Sequence, residues 1–321
     1  MSWIAGALVL ILVAGFALTR IEAQRIAARF PPEGRFVEVA GGRLHYTDTP
    51  GSSAGAPPLL MVHGASSNHA ELPMALNDAL GGRFRIISID RPGHGWSDRI
   101  GGADAASPAR QATIMASFLD AIGVKRAVVV AHSMAGAAAL NLTLDHSDKV
   151  AGLVLISPVS HPWPGGISWY YEPAAHPWIG PIFANTLTLP MGLIGMKAGA
   201  ASAFAPQAPS ADYLERAKIP LVLRPQEFRA NAEDVAALKP FVTKQAPRYR
   251  EIIAPVAIIT GDADSVVSPT IHSKALSEQI AGAELTVLRN VGHAPHHFAP
   301  DIVADAIVSL MARTGRALAS R

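Results

Sequence analysis

Short apolar runs recur along the chain, and polar or amphipathic segments separate them. The runs are rich in β-branched residues and are four to nine residues long, which predicts buried strands at 59–62, 84–90, 127–130, 150–156, 252–260 and 284–288. Between two of them, Met115, Phe118, Leu119 and Ile122 follow a helical spacing that begins after Ser107 and ends at Gly123. This alternation of strands and helices predicts a mostly parallel sheet with helices on both faces.

The N-terminal residues have a different pattern. Trp3 to Leu18 is apolar and uncharged, which predicts a membrane anchor over residues 1–20. A cleaved secretory signal is the alternative, but the start is not basic and the cleavage site is poor. Arg20, Arg25 and Arg29 follow the run and favour a cytoplasmic C-terminal domain, whereas signal cleavage would place it in the periplasm or outside the cell. We expect residues 21–34 to be a linker, whose residues 21–30 continue as a helix until Pro31 and Pro32 stop it.

Composition narrows the class of protein. The chain has 321 residues, of which 50% are hydrophobic and 16% are charged, and this suits one large α/β domain with an insertion. Its formal net charge is +2 without a basic block, so nucleic acid is not an expected partner. There is no cysteine, which excludes disulfides, thiolate metal sites and a cysteine nucleophile.

The apolar strand that begins at Ala127 runs directly into His132, Ser133 and Met134, and a helical segment follows. A serine at such a turn projects above the sheet, and the next N–H lies at a helix N-terminus, which stabilises negative charge. This arrangement suits a nucleophile whose attack creates an oxyanion. A serine that only caps the helix is the alternative.

Three strings of residues resemble the α/β-hydrolase superfamily. The serine turn resembles the G-x-S-x-G nucleophile elbow, although Ala131 and Ala135 stand at the two glycine positions. Asp90 to Ser97 resembles the D-x-P-G-x-G-x-S loop after the fourth strand, and His63-Gly64 resembles the HG loop after the third. The resemblance implies the α/β-hydrolase fold, with a mostly parallel eight-stranded sheet and a helical cap inserted after the sixth strand.

The same resemblance assigns roles and boundaries. It implies Ser133 as nucleophile, Asp264 rather than Asp262 as the acid, and His293 as the base, with the N–H groups of Ala65 and Met134 as the oxyanion hole. It divides the chain into core residues 35–158, a cap at 159–250, core residues 251–315 and a tail at 316–321.

Further candidates concern the substrate pocket and metals. His63, Gly64, Asn68, His132, Trp169 and Trp178 are candidates for the pocket, although His63 also suits a structural hydrogen bond and the tryptophans also suit the core of the cap. His293, His296 and His297 also have metal-binding side chains, but no partners at a characteristic spacing precede them, so we expect no metal and no cofactor.

Three functions remain open. The first is hydrolysis of a small carboxylic ester with an apolar portion. The second is another reaction of the same triad: hydrolysis of a carbon–carbon bond or an amide, or cofactor-free perhydrolysis. The third is a non-catalytic, membrane-tethered accessory protein on a hydrolase scaffold. A serine nucleophile argues against the dehalogenase and epoxide hydrolase branches, which use aspartate, and the oligomeric state is left open.

Overall fold

The computed structural model describes residues 2–53 and 55–319, and its centre is one twisted sheet. Within these residues the sheet has eight strands in the order β1-β2-β4-β3-β5-β6-β7-β8. The pairs β1–β2 and β2–β4 are antiparallel, and all the others are parallel. The strands are β1 Arg35–Val39, β2 Gly42–Thr49, β3 Leu59–Val62, β4 Ile86–Ile89, β5 Ala127–His132, β6 Val150–Ile156, β7 Val256–Gly261 and β8 Glu284–Leu288.

Helices cover both faces of the sheet. The α-helices are α1 Ser2–Arg29, α2 Glu71–Leu80, α3 Pro108–Ala121, α4 Ala135–Asp145, α5 Tyr171–Ala175, α6 Ile179–Thr186, α7 Thr188–Phe204, α8 Tyr213–Arg216, α9 Pro225–Gln245, α10 Ala275–Gln279, α11 Pro295–Phe298 and α12 Pro300–Ala319. Short 3₁₀ turns lie at Gly102–Asp104, Ser147–Lys149, Ile219–Leu223 and Ala246–Glu251, and a π turn lies at Thr270–Lys274.

Alternation along each central strand explains the two layers. In β3, Leu60 and Val62 belong to the apolar cluster shared with α3 and α4, whereas Leu59 and Met61 belong to the cluster shared with α2 and α12. Successive side chains of a strand point to opposite faces. A strand that is apolar at every position is therefore buried on both sides, as the sequence pattern predicts.

Helices α5 to α9 form the insertion between β6 and β7. Their own apolar cluster includes Leu189, Phe204 and Leu221, and it also takes in Ile26 of α1 and Phe30, which directly follows α1. Residues 21–34 are therefore not a simple linker. Most of them continue α1, and two of their apolar side chains are buried against the cap.

The N-terminal helix also lies along the cap further upstream. A Cβ atom at Gly15 would come within 2.4 Å of the carbonyl oxygen of Thr186 in α6, so the two backbones are in close contact. Within the described residues no single helix is long and apolar enough to cross a membrane. Helices α6 and α7, which are bent by 65° relative to each other, are together long and apolar enough to cross a membrane, by length and composition only. The single-pass anchor expected at 1–20 therefore has no support, and Met1 lies outside the described residues.

The C-terminal boundary also differs from the expectation. Helix α12 continues to Ala319, so residues 316–319 of the expected tail extend the last helix of the core. Residues 320–321 lie outside the described residues.

Candidate active site

Ser133 occupies a strained turn between β5 and α4. Its φ is +55°, in the left-handed region that residues other than glycine rarely adopt. The N–H of Ser133 donates to the carbonyl oxygen of Ile156 at 2.9 Å, and its own carbonyl accepts from Gly136 and Val159, both at 2.9 Å. These bonds fix the turn against the neighbouring strand β6, so the surrounding structure holds the strain in place.

The two alanines of the serine turn fit the structure. Ala131 and Ala135 are buried, and the turn adopts its positive φ with both methyl groups present. The chain segment after β6 comes closest to this turn at Gly136, where a Cβ atom would lie 2.6 Å from the Cβ of Pro158. The glycine that this turn needs is therefore one residue later than in the G-x-S-x-G pattern.

A hydrogen-bonded chain links the serine to a carboxylate. Nε2 of His293 lies 2.9 Å from Oγ of Ser133, and Nδ1 of His293 lies 2.8 Å from Oδ2 of Asp264. Since an ionised carboxylate only accepts, Nδ1 carries the proton and Nε2 is free to accept from the serine hydroxyl. The other carboxylate oxygen of Asp264 accepts from the N–H groups of Val266 and Val267, at 2.9 and 2.8 Å. Asp262 lies outside this chain of bonds and accepts from the N–H of Asn290.

The loop after β3 passes beside the serine. A Cβ atom at Gly64 would lie 3.0 Å from the Cβ of Ser133, so only glycine leaves ordinary space there. Ala65 packs against the apolar cluster that contains Met134. Across residues 2–53 and 55–319, neither the N–H of Ala65 nor that of Met134 has an acceptor in the protein. Both N–H groups are therefore available to a ligand beside the serine.

His63 holds this loop through hydrogen bonds. The N–H of Arg91 donates to its Nε2 at 3.0 Å, so the imidazole is neutral and its Nδ1 donates to the carbonyl of Gly64 at 2.9 Å. Burial lowers the pKa of His63 well below its ordinary value, and the neighbouring Arg91 charge acts in the same direction. Arg91 is itself buried, and its Nη2 donates to the same carbonyl at 3.2 Å.

Asn68 and His132 also make structural contacts. The Asn68 amide donates to the carbonyls of Ala217 and Lys218 in the cap, at 2.9 and 3.2 Å. Nε2 of His132 donates to the carbonyl of His293 at 3.1 Å, and its ring lies against the His293 ring with a centroid distance of 4.9 Å. His132 therefore supports the loop that carries His293.

Trp169 and Trp178 are 66% and 83% exposed, in the loops that precede α5 and α6. Their place in a substrate pocket stays a prediction. A cavity with a volume of about 970 Å³ lies away from the serine, between α1, the loop after β4 and α9. Ser133, Asp264 and His293 do not line it.

Two clusters of side chains have the composition of metal sites: one is His45, His69 and Asp90, and the other is Glu71, His296 and His297. Hydrogen bonds already join the members of each cluster. His69 lies 3.0 Å from Asp90, and His296 and His297 lie 2.6 and 2.9 Å from Oε1 of Glu71. Both arrangements are therefore explained by carboxylates that accept from histidines.

Glu71 is a buried residue near the site that the sequence pattern did not indicate. Burial acts to raise its pKa, but the charge and hydrogen bond of His296 and the hydrogen bond of His297 outweigh it and hold the pKa well below its usual range. Glu71 stands in the first turn of α2, 225 residues before His296, and no local spacing connects them. The His296 ring packs against His132 at 4.5 Å.

These features agree with one family of enzymes. A family model for the alpha/beta hydrolase fold matches residues 57–300, which is more than half of the chain. The chain belongs to the α/β-hydrolase fold family. An eight-stranded, mostly parallel sheet with helices on both faces is therefore confirmed for this α/β hydrolase.

Individual relatives differ in their activities. The hydrolase is 26% identical over 268 residues to the 2-hydroxy-6-oxononadienedioate/2-hydroxy-6-oxononatrienedioate hydrolase of Cupriavidus pinatubonensis, over 81% of this chain and 88% of that protein. Other curated relatives are 29–34% identical but are matched over only 32–43% of their own length, so the alignment spans less than half of each. One of these is haloalkane dehalogenase 2 of Mycobacterium tuberculosis.

Solved structures share the architecture. An alpha/beta hydrolase fold protein from Burkholderia ambifaria is 25% identical with a TM-score of 0.71, over 86% of this chain and 97% of that one. A thermophilic esterase from Thermogutta terrifontis is 19% identical with a TM-score of 0.68, over 88% and 99%. The second likeness concerns the fold alone.

Proposed function

We propose that this α/β hydrolase cleaves carboxylic esters with an apolar portion through an acyl-enzyme on Ser133. The observation that carries the proposal is the chain of bonds from Asp264 through His293 to Ser133, at 2.8 and 2.9 Å, together with the positive φ of the serine. A serine hydroxyl is a weak nucleophile until a positioned base accepts its proton, and His293 is oriented to do so.

In this mechanism Oγ of Ser133 attacks the ester carbonyl carbon while its proton passes to Nε2 of His293. The carbonyl oxygen becomes an oxyanion that accepts from the N–H groups of Ala65 and Met134. When the tetrahedral intermediate collapses, the C–O bond to the alcohol breaks and His293 returns the proton to the leaving oxygen. Water then repeats the sequence on the acyl-enzyme, and Asp264 stabilises the imidazolium in both halves.

The apolar preference rests on the surroundings of the serine. Met134, the residue after the nucleophile, belongs to an apolar cluster with Val159, which follows β6, Leu238 and Val242 of α9, and Val267. Apolar side chains that surround a few converging polar groups are typical of sites for apolar ligands.

The test is covalent labelling with a fluorophosphonate probe, which reacts with activated serines. We expect the wild-type full chain to be labelled and Ser133→Ala to be unlabelled with an unchanged unfolding midpoint. A series of nitrophenyl esters should then give a higher kcat/KM as the acyl chain grows from acetyl to octanoyl. A folded wild-type protein that is neither labelled nor active on any ester would refute the proposal and favour the non-catalytic alternative.

Carbon–carbon bond hydrolysis is a second candidate, because the Cupriavidus pinatubonensis hydrolase matches over most of both chains. The two candidates make different predictions for one sample of enzyme. A kcat/KM for a 2-hydroxy-6-oxo-dienedioate that exceeds the value for every nitrophenyl ester would favour this candidate over ester hydrolysis.

We further propose that the enzyme works at a lipid surface. Support comes from exposed apolar side chains on α1 and at the cap helices that contact it. They are Trp3 and Leu10 of α1, Trp178 just before α6 and Ile194 of α7, at 71–90% exposure. Exposed apolar patches mark interaction sites, and the exposed Arg20 follows the apolar part of α1, where it suits anionic headgroups.

Vesicle flotation tests this assignment. With phosphatidylcholine–phosphatidylglycerol vesicles, the wild type should float and the triple variant Ile4→Ser, Leu10→Ser, Ile194→Ser should remain in solution. Ile253→Ser is the matched control, because Ile253 is 86% exposed but lies outside this surface, just before β7. Equal flotation of the wild type and the triple variant would contradict a lipid surface at α1 and the cap.

A further inference from the structure

A fully buried side-chain amide of the cap forms hydrogen bonds with the loop after β3, which lies beside the nucleophile. Asn231 lies on α9 and has no exposed surface. Its Oδ1 accepts from the N–H of Ser66 at 2.7 Å, and its Nδ2 donates to Oγ of Ser66 at 3.1 Å. The amide therefore bonds both the backbone and the side chain of one residue that is 165 positions away in the chain.

Ser66 needs such a support. Its φ is +54°, and the left-handed conformation costs a residue with a Cβ atom about 1–2 kcal/mol. The loop keeps this conformation only where its surroundings hold it. The two bonds from Asn231 are directional, and they form inside the protein, where an unpaired amide would itself be unfavourable.

Ser66 directly follows Ala65, whose N–H faces no acceptor within the described residues. The peptide that carries this N–H is fixed on its other side, because the carbonyl of Gly64 accepts from Nδ1 of His63 and Nη2 of Arg91. Arg91 in turn donates to Asp234 at 2.8 Å.

Asp234 and Asn231 are one helical turn apart on α9. A single turn of the cap therefore holds the residues on both sides of Ala65.

We propose that Asn231 is a positioning residue for the oxyanion hole. The loop after β3 then holds the Ala65 N–H in place for catalysis only while helix α9 of the cap packs against it. This inference rests on the proposed ester hydrolysis. In the proposed reaction Asn231 does not touch the substrate. It sets the backbone of Ser66, which sets the direction of the Ala65 N–H toward the oxygen of the tetrahedral intermediate.

The central test is the steady-state kinetics of Asn231→Leu on nitrophenyl butyrate, together with the rate of fluorophosphonate labelling. Loss of one oxyanion donor lowers kcat by about 10²–10³-fold. We expect Asn231→Leu to lower kcat and the labelling rate by about 10²-fold while KM changes by less than about threefold, because the bond is needed mainly in the transition state.

Two variants of Ser66 separate positioning from general stability. Ser66→Ala keeps the N–H bond to Asn231 and loses the hydroxyl contact, so its kcat should fall less than that of Asn231→Leu. Ser66→Gly added to Asn231→Leu should recover kcat by about tenfold, because glycine adopts a positive φ without strain. A residue that merely stabilised the cap would show no such rescue.

Asn185→Leu is the matched control. Asn185 is an asparagine of cap helix α6 whose amide donates only within its own helix, to Pro181 at 2.8 Å. Its kcat should equal that of the wild type. If Asn231→Leu does not fold, Asn231→Ala removes the same two bonds at smaller volume and is judged by the same criteria.

The inference is overturned if kcat of the folded Asn231 variant stays within threefold of the wild type, if Asn185→Leu loses as much, if only KM changes, or if Ser66→Gly gives no recovery. Failure of the proposed function has a different signature. In that case the wild-type enzyme itself neither reacts with the fluorophosphonate nor hydrolyses the ester.

Discussion

Nη1 of Arg91 lies 2.8 Å from Oδ2 of Asp234, and each side chain is only 2% exposed. This buried ion pair joins the loop after β4 to helix α9 of the cap. Burial lowers the pKa of Arg91, and the nearby carboxylate of Asp234 counteracts that effect. Arg91 also donates to the carbonyl groups of His63 and Gly64, so the pair fixes the loop beside Ser133.

Removal of one partner of this pair should strongly destabilise the fold. Asp234→Leu leaves the arginine charge buried without a counter-charge, and such changes cost about 3–5 kcal/mol in the free energy of unfolding. Urea unfolding followed by circular dichroism measures the loss. Glu251→Gln removes an acid from an exposed pair with Arg248 and should cost less than about 1 kcal/mol. Equal losses in the two variants would contradict the structural role of Asp234.

The two aspartates after β7 should differ sharply in their effect on activity. Asp264→Asn removes the negative charge beside Nδ1 of His293 and allows the wrong tautomer, which lowers kcat by about 10⁴-fold in such triads. Asp262→Asn changes only a loop contact with the N–H of Asn290, and we expect kcat within about threefold of the wild type. The kcat of both variants on a nitrophenyl ester measures the difference. A larger loss in Asp262→Asn than in Asp264→Asn would identify Asp262 as the acid of the triad.

Gly136 should not tolerate a methyl group. A Cβ atom there would lie 2.6 Å from the Cβ and 3.1 Å from the Cα of Pro158, so Gly136→Ala should cost about 1–3 kcal/mol in the free energy of unfolding. Gly195→Ala in the exposed helix α7 is the control. Nothing lies within 4 Å of its Cβ position, and alanine should stabilise that helix by about 0.5–1 kcal/mol. Thermal unfolding measures both, and a Gly136→Ala protein as stable as wild type would disprove the close contact.

Stability should depend on pH through Glu227 of α9. Burial raises the pKa of Glu227 from 4.5 to about 7 in the folded protein, against the opposing effect of the Arg224 charge. Between these two values the folded state keeps a proton that the unfolded state releases, so the free energy of unfolding falls as pH rises through this window, by about 3 kcal/mol. Below pH 4.5 both states are protonated and the full contribution is present.

Glu227→Gln tests that dependence, because the amide does not ionise but still accepts from the N–H of Gly95. The wild type should lose stability relative to this variant as pH rises from 4.5 to about 7, as measured by urea unfolding at several pH values. Parallel stability curves for the two proteins would contradict the raised pKa.

The sequence by itself determined the layered fold. Apolar runs with no polar face, such as Leu59–Val62, need cover on both sides, and this follows from the two-residue alternation of strands. It also placed Ser133, Asp264 and His293 after strands β5, β7 and β8. The carboxyl ends of parallel strands meet at one edge of the sheet. There the structure places the His293 ring 2.9 Å from Oγ of Ser133 and 2.8 Å from Oδ2 of Asp264.

Only the tertiary structure decided how the N-terminal helix and the cap lie on this core. The apolar run of α1 was assigned to a membrane, yet Gly15 in that run lies against Thr186 of α6, and Ile26 and Phe30 further along the chain are buried against the cap. Trp169 and Trp178, candidates for the pocket, are largely exposed in the loops before α5 and α6, and hydropathy alone does not tell which apolar side chains of an insertion meet the core.

The residues that support the site were also invisible in the sequence. Asn231 bonds a residue 165 positions earlier and Asp234 one 143 positions earlier, and Glu71 meets histidines more than 220 positions later. No local periodicity encodes such pairs. They exist because cap and core fold onto each other and exclude water, and buried polar groups then require partners wherever the chain brings them.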